Sequence, residues 1–139
     1  MPRNEGERLS RMGRFADMFR RDEFEFSEES AATFSPAGLL MLPMANLSPG
    51  ATAFVQTCYD DNWIRPDIDW LQWMEGDEAE SLFSKPALIA KSSIDQLEHI
   101  LTALVRSDRF SEGALDHAYR QGILTAVVVR CAELAVEQS

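Results

Sequence analysis

Ile123, Leu124, Val127, Val128, Cys131, Leu134 and Ala135 make the last stretch of this chain apolar nearly all the way round a helix. A helix without a polar face has to be covered on every side, so it belongs at the centre of a soluble fold. The remaining chain has to supply that cover. At 139 residues it offers one domain's worth of core.

The first cover is legible just upstream. Ser93-x-x-Gln96 is a capping-box pattern, in which each side chain satisfies a backbone N–H at the helix start. It opens a helix whose Ile94, Leu97, Ile100, Leu101, Leu104 and Val105 form one apolar stripe. Ser48-Pro49-Gly50 is a second start signal, predicting a helix that turns Ala53, Phe54, Cys58 and Tyr59 inward. Asp69 is placed to cap a helix bearing Trp70, Trp73 and Met74, Gly76 to break it, and Asp77 to cap a segment from Glu78 to Phe83. Leu9, Met12, Phe15, Ala16 and Phe19 predict a short helix from Glu7 to Arg21. Phe24-Glu25-Phe26 and Leu39 to Leu42 suit the strands of a small hairpin, with Pro43 at its edge. The expectation is a mainly α, compact domain of about five to six helices with one N-terminal β-hairpin. It is a single domain, residues 1–47 carrying the N-terminal helix and hairpin and residues 48–139 the helical core.

Between the two apolar helices the chain crowds Arg106, Asp108, Arg109, Ser111, Glu112 and Gly113 into a corner. With Ser111 as N-cap, Phe110 and Leu115 form the hydrophobic-staple pair, and Asp108 and Glu112 lie at the positive end of the helix. Gly113 then suits a close backbone approach, and Gly122 the left-handed residue that ends the helix. The architectural reading has Arg106 and Arg109 tying down carboxylates or helix-end carbonyls. The alternative makes Arg106, Arg109 and Glu112 a ligand site.

Net charge is −10. Eight acids and one base, Arg65, fall between Asp60 and Glu80, which disfavours direct binding to phosphate backbones. An acidic face also keeps a protein soluble, or meets a partner protein with a basic surface. On the latter reading Asp60, Asp61, Trp63, Asp67, Asp77 and Glu78 form an acidic, aromatic docking face. Trp70-x-x-Trp73 shares a helix side and suits either core packing or such a face.

Catalytic motifs are missing: no glycine-rich phosphate loop, zinc-protease helix or nucleophile elbow occurs. Cys58, His99, His117 and Cys131 lack paired metal-ligand spacing, so neither a metal site nor a cofactor is expected, and the thiols read as free and buried. Both histidines read as solvated. The helix after Gly122 begins Ile-Leu-Thr-Ala, without the basic and amide groups of a DNA-reading helix. No apolar run reaches membrane-spanning length, and the charged start, Met1 to Glu7, has no secretory apolar core. The cytoplasm is the expected compartment, and homo-oligomerisation stays open.

Phe54 to Tyr59, Asp69-Trp70-Leu71-Gln72-Trp73, Leu101-Thr102, Arg106, Asp108-Arg109-Phe110, Glu112-Gly113, Leu115 and Gly122-Ile123 together resemble an uncharacterised bacterial and archaeal family, a domain of unknown function. The likeness runs from about Ser48 to Leu134. Members resemble a segment sometimes found behind ADP-ribose-binding macrodomains, which implies an accessory role there. The family has no established catalytic residues, so none is carried over. Two expectations follow. The first is a non-enzymatic acidic interaction module, in its sharpest form an inhibitor of nucleic-acid-handling machinery of the mobile-element or anti-CRISPR kind. The second is an accessory ligand-binding or enzymatic domain in ADP-ribose or nucleotide metabolism.

Overall fold

The structure, a computed structural model, describes residues 5–21, 23–29, 33–34, 40–41, 45–110 and 113–138. Its helices are α1 (Glu5–Gly13), α2 (Phe15–Phe19), α3 (Pro49–Asp60), α4 (Trp70–Met74), α5 (Asp77–Ser84), α6 (Ile94–Phe110), α7 (Ala114–Arg120) and α8 (Ile123–Gln138), with a 3₁₀ helix over Pro86–Lys91. Among the described residues four short strands form, β1 (Ser27–Glu29), β2 (Thr33–Phe34), β3 (Leu40–Met41) and β4 (Ala45–Leu47). The domain is mainly α, as its apolar periodicities require.

The nearly all-apolar last helix is central over its first half, while Leu134 and Ala135 are half-buried and Val136 is exposed. Ile123, Leu124, Val127, Val128 and Cys131 are buried, and α1, α2, α7 and the 3₁₀ helix pack around α8. The contact with α1 is close enough to dictate a residue type. A Cβ added at Gly13 would lie 2.8 Å from the Ala132 Cα, so only glycine allows this approach. The helix expected from Glu7 to Arg21 is interrupted at Arg14, whose backbone stays right-handed and whose N–H still reaches the Ser10 carbonyl at 3.1 Å.

Past the break, Phe19 enters an aromatic cluster with Phe15, Phe24, Phe26, Phe54 and Tyr119, its ring 5.3 Å from that of Phe54. The Tyr119 hydroxyl donates to the Phe19 carbonyl at 2.9 Å and ties α2 to α7. This use of Phe24 and Phe26 displaces the expected strand: the two phenylalanines pack as core and partly buried residues, and pairing starts only at Ser27. β1 pairs antiparallel with β4, Ser27 opposite Leu47, and β2 with β3, Thr33 opposite Met41. Of the second expected strand, Leu40 and Met41 form β3, while Leu39, Leu42 and Pro43 lie outside the described residues.

The start signals act as the chemistry requires. Ser93 and Gln96 exchange hydrogen bonds, Ser93 N–H to Gln96 Oε1 at 2.9 Å and Gln96 N–H to Ser93 Oγ at 3.2 Å. Ser48 Oγ accepts from the Ala51 N–H at 3.3 Å, with Pro49 in the first turn. In α3 it is Ala51, not Ala53, that joins Phe54 and Cys58 inside, and Tyr59 is exposed. Ala51, Phe54 and Cys58, spaced i, i+3 and i+7, share one face, whereas Ala53 lies about 200° round the helix from Ala51.

Candidate functional site

α3 ends at a left-handed Asn62, φ 61°, where the Trp63 N–H bonds the Cys58 carbonyl at 2.9 Å and the Asn62 N–H bonds that of Tyr59 at 3.3 Å. This double closure satisfies carbonyls a helix would otherwise leave open and turns Trp63 into the core. Trp63 is fully buried, and Asp61 nearly so. Arg8 of α1 closes over them. Its Nε donates to the Asp61 carbonyl at 2.8 Å and its Nη2 to that of Asn62 at 3.0 Å, while its guanidinium lies 3.9 Å from the Trp63 ring centroid. It also pairs with Glu5 at 2.7 Å and with Glu98 of α6. Arg11 holds the Asp61 carboxylate at 2.8 Å.

The chain leaving Trp63 is pinned to α6 by the buried Thr102. Its hydroxyl donates to the Trp63 carbonyl at 3.2 Å and accepts from the Arg65 N–H at 3.0 Å. Arg65 then gathers Asp67 at 2.7 Å, Asp95 at 2.8 Å and Glu98 at 3.5 Å. The hydrogen bond to Asp67 does most to push the Arg65 pKa upward, and Arg65 in turn holds the Asp67 carboxyl below the usual range.

Thus the acidic run divides. Of the six residues expected on a docking face, Asp61 and Trp63 are buried, because helix closure at Asn62 and the cover of Arg8 and Arg11 draw them inside. Asp67 is exposed yet neutralised by Arg65, and Asp60 is exposed and accepts from Gln56 at 2.9 Å. Asp77 and Glu78 are exposed in the first turn of α5 with Glu80. The N-cap there is Gly76, and Asp77 is the first helical residue.

Asp69 caps α4 as its sequence position implies, its Oδ1 accepting from the Gln72 N–H at 3.2 Å. α4 lies on α6 with Trp70, Trp73 and Met74 half-buried, and Leu71 stands out from it, 61% exposed. Trp73 donates its indole N–H to Glu78 at 3.0 Å, meets Phe83 edge-on at 5.8 Å and lies 5.5 Å from the His99 ring. His99 is therefore packed, its Nδ1 2.8 Å from the Asp95 carbonyl, while His117 is exposed. Glu75, Asp77, Glu78 and Glu80 have no ion-pair partner among the described residues, so the uncompensated charge of the middle stretch collects at the α4–α5 junction.

The late corner is built differently from the Ser111 scheme. α7 begins at Ala114 after Gly113, whose φ of 94° is left-handed and whose absent side chain faces open space. Its glycine serves backbone conformation, not close approach. Asp108, at the end of α6, caps α7 by accepting from the Leu115 N–H at 3.1 Å. Gly122, φ 84°, ends α7 as expected. Arg106 is half-buried, whereas Ser111, Glu112 and the side chains of Arg109 and Phe110 lie outside the described residues.

Cys58 and Cys131 are buried free thiols, and burial pushes Cys131 up to about 12 and Cys58 higher still. Among the described residues no group of three or more His, Cys, Asp or Glu is gathered to hold a metal ion, and no helix is long and apolar enough to cross a membrane.

Sequence reasoning gave no role to Arg8, Arg11 or Glu98, and quoted Thr102 only as part of the Leu101-Thr102 motif. The available signal was Arg8 one turn before the apolar Met12, a charge on the inward side of its helix.

A model of the family of unknown function DUF6508 matches residues 4–137, and the chain belongs to that family. The match takes in α1 and α2, which the motifs from Ser48 onward did not reach. No curated protein and no solved structure matches the chain.

Proposed function

We propose that this member of the DUF6508 family is a non-enzymatic interaction module that docks through the α4–α5 junction onto a basic protein surface. The observation that carries the reading is the sorting of charge. Arg11 and Arg65 absorb Asp61 and Asp67, while Glu75, Asp77, Glu78 and Glu80 face solvent without a cationic partner among the described residues. A single exposed leucine is ordinary on a protein surface. Glu75 follows the exposed Leu71 by one turn at the end of α4, and Asp77 and Glu80 follow on α5, a pairing of apolar and charged surface of the kind interfaces divide into centre and rim. The rim would steer a basic partner and select against acidic ones. Machines that hold nucleic acid carry such basic surfaces, so an inhibitor of one is the sharpest form of the proposal.

A second reading keeps Arg106, Arg109 and Glu112 as a ligand site; of their side chains Arg106 is described and half-buried.

The test uses two probes, an amphipathic leucine–lysine helical peptide and oligolysine, with binding followed by NMR shift changes. The peptide is expected to perturb α4 and α5 and to bind more tightly than oligolysine. Leu71→Ser is expected to weaken the peptide about tenfold, a loss of about 1.4 kcal/mol. Glu75→Lys, Asp77→Lys and Glu80→Lys together are expected to abolish binding of both probes. Perturbations spread evenly over the acids of the chain, or unchanged by Leu71→Ser, would overturn the reading.

A further inference from the structure

Leu71 and Trp73 are two residues apart on α4, about 200° round a helix, so whatever holds Trp73 inward aims Leu71 outward. α4 has five residues, far too few to hold a helix alone, and its order has to come from tertiary contacts. Three groups grip Trp73: the edge-on Phe83 ring at 5.8 Å, the His99 ring at 5.5 Å, and the Glu78 carboxylate, which accepts the indole N–H at 3.0 Å. His99 is itself fixed by the Asp95 carbonyl at 2.8 Å, and Phe83 and Glu78 both belong to α5. The clamp therefore joins α4, α5 and α6 around one side chain.

We infer that Glu78 and His99 are positioning residues, which hold Trp73 so that α4 presents Leu71 in place before any partner arrives. Glu78, which its charge and exposure would assign to the contact surface, acts through Trp73. This rests on the docking reading above and deepens it. A preorganised apolar anchor one helical turn from Glu75, on the acidic α4–α5 junction, fits a partner surface with an apolar pocket bordered by Lys or Arg, since binding then costs little ordering of the anchor.

Glu78→Ala removes both charge and hydrogen-bond acceptor, whereas Glu78→Gln removes the charge and keeps a carbonyl acceptor of the same reach. Amide hydrogen exchange of α4 is measured first, on the full chain without any probe. Glu78→Ala is expected to speed α4 exchange about fivefold to tenfold, the loss of one hydrogen bond, while α6 and α8 keep their protection. Glu78→Gln is expected to stay within about twofold of the native rate. His99→Ala should speed α4 exchange and His99→Phe, which keeps a ring against Trp73, should restore it. Affinity for the leucine–lysine peptide should follow the same order, with Glu78→Gln close to native. Unchanged α4 exchange in Glu78→Ala would overturn the clamp. So would Glu78→Gln binding the peptide as weakly as Glu78→Ala, for Glu78 would then act by its charge. If the native chain binds no peptide, the docking reading fails, and the exchange rates alone still decide the clamp.

Discussion

The guanidinium of Arg8 lies 3.9 Å from the centre of the Trp63 ring while its nitrogens bond the carbonyls of Asp61 and Asn62 and the carboxylates of Glu5 and Glu98. One buried cation thus closes the end of α3, covers the tryptophan that follows it and joins α1 to α6. Replacing Arg8 by Met leaves two carbonyls and a largely buried Glu98 without this partner. The expected cost is about 3 kcal/mol, read as a lower midpoint in urea denaturation. Arg8→Lys should not rescue it, because an ammonium lacks the planar fork and stacks poorly.

Gly13→Ala would ordinarily favour a helix by roughly 1 kcal/mol. Here the new methyl would meet the Ala132 backbone at 2.8 Å, and two helix backbones have to part to admit it. The net effect is expected to be destabilising by about 1–3 kcal/mol in the same assay. Gly113→Ala should be destabilising for another reason: the space is open, but the φ of 94° is strained for any L side chain.

Asp108→Ala removes the acceptor of the Leu115 N–H at the start of α7. A loss of about 1 kcal/mol is expected, with faster amide exchange at Leu115. An Arg106→Ala variant is expected to leave that amide unchanged, since the cap is made by the aspartate.

The Asp67 carboxyl is depressed in the folded state by its hydrogen bond to Arg65. The sign follows from linkage: a depressed carboxyl stabilises the fold above its unfolded value, near 3.8, and that contribution is lost as pH falls through the folded value. Carboxyl NMR should find Asp67 titrating below the ordinary range and returning to it in Arg65→Met. Cys131 runs the other way. Its thiol, pushed up to about 12 by burial, keeps its proton in the folded state above 9.0, where an unfolded thiol ionises. Stability should therefore fall as pH rises from about 9 towards 12. Neither Cys58 nor Cys131 should react with a thiol reagent except at the rate of opening.

Much of this fold can be read from the chain because its signals are local. Ser93 with Gln96, Ser48 with Pro49, Asp69 with Gln72 and the glycine at Gly122 each act within one helical turn, so residue type and spacing suffice. The apolar stripe of α6 and the largely apolar first half of α8 are written along their own helices, and burial follows them. The Asp108 cap spans seven residues across a corner, beyond the reach of the local spacing that points to Ser111.

The candidate site was legible only in part. Composition and order placed the acids between Asp60 and Glu80 and the tryptophans among them. Which acids keep their charge was decided by arginines from elsewhere: Arg11, fifty positions before Asp61, and Arg65 reaching to Asp95 and Glu98 on α6. By itself the sequence determined a helical domain around an apolar last helix, with an acidic middle. Only the tertiary structure decided that Trp63 and Asp61 lie inside and that Glu75, Asp77 and Glu80 remain outside, because a charge's availability depends on what chain packing brings within a few ångströms of it.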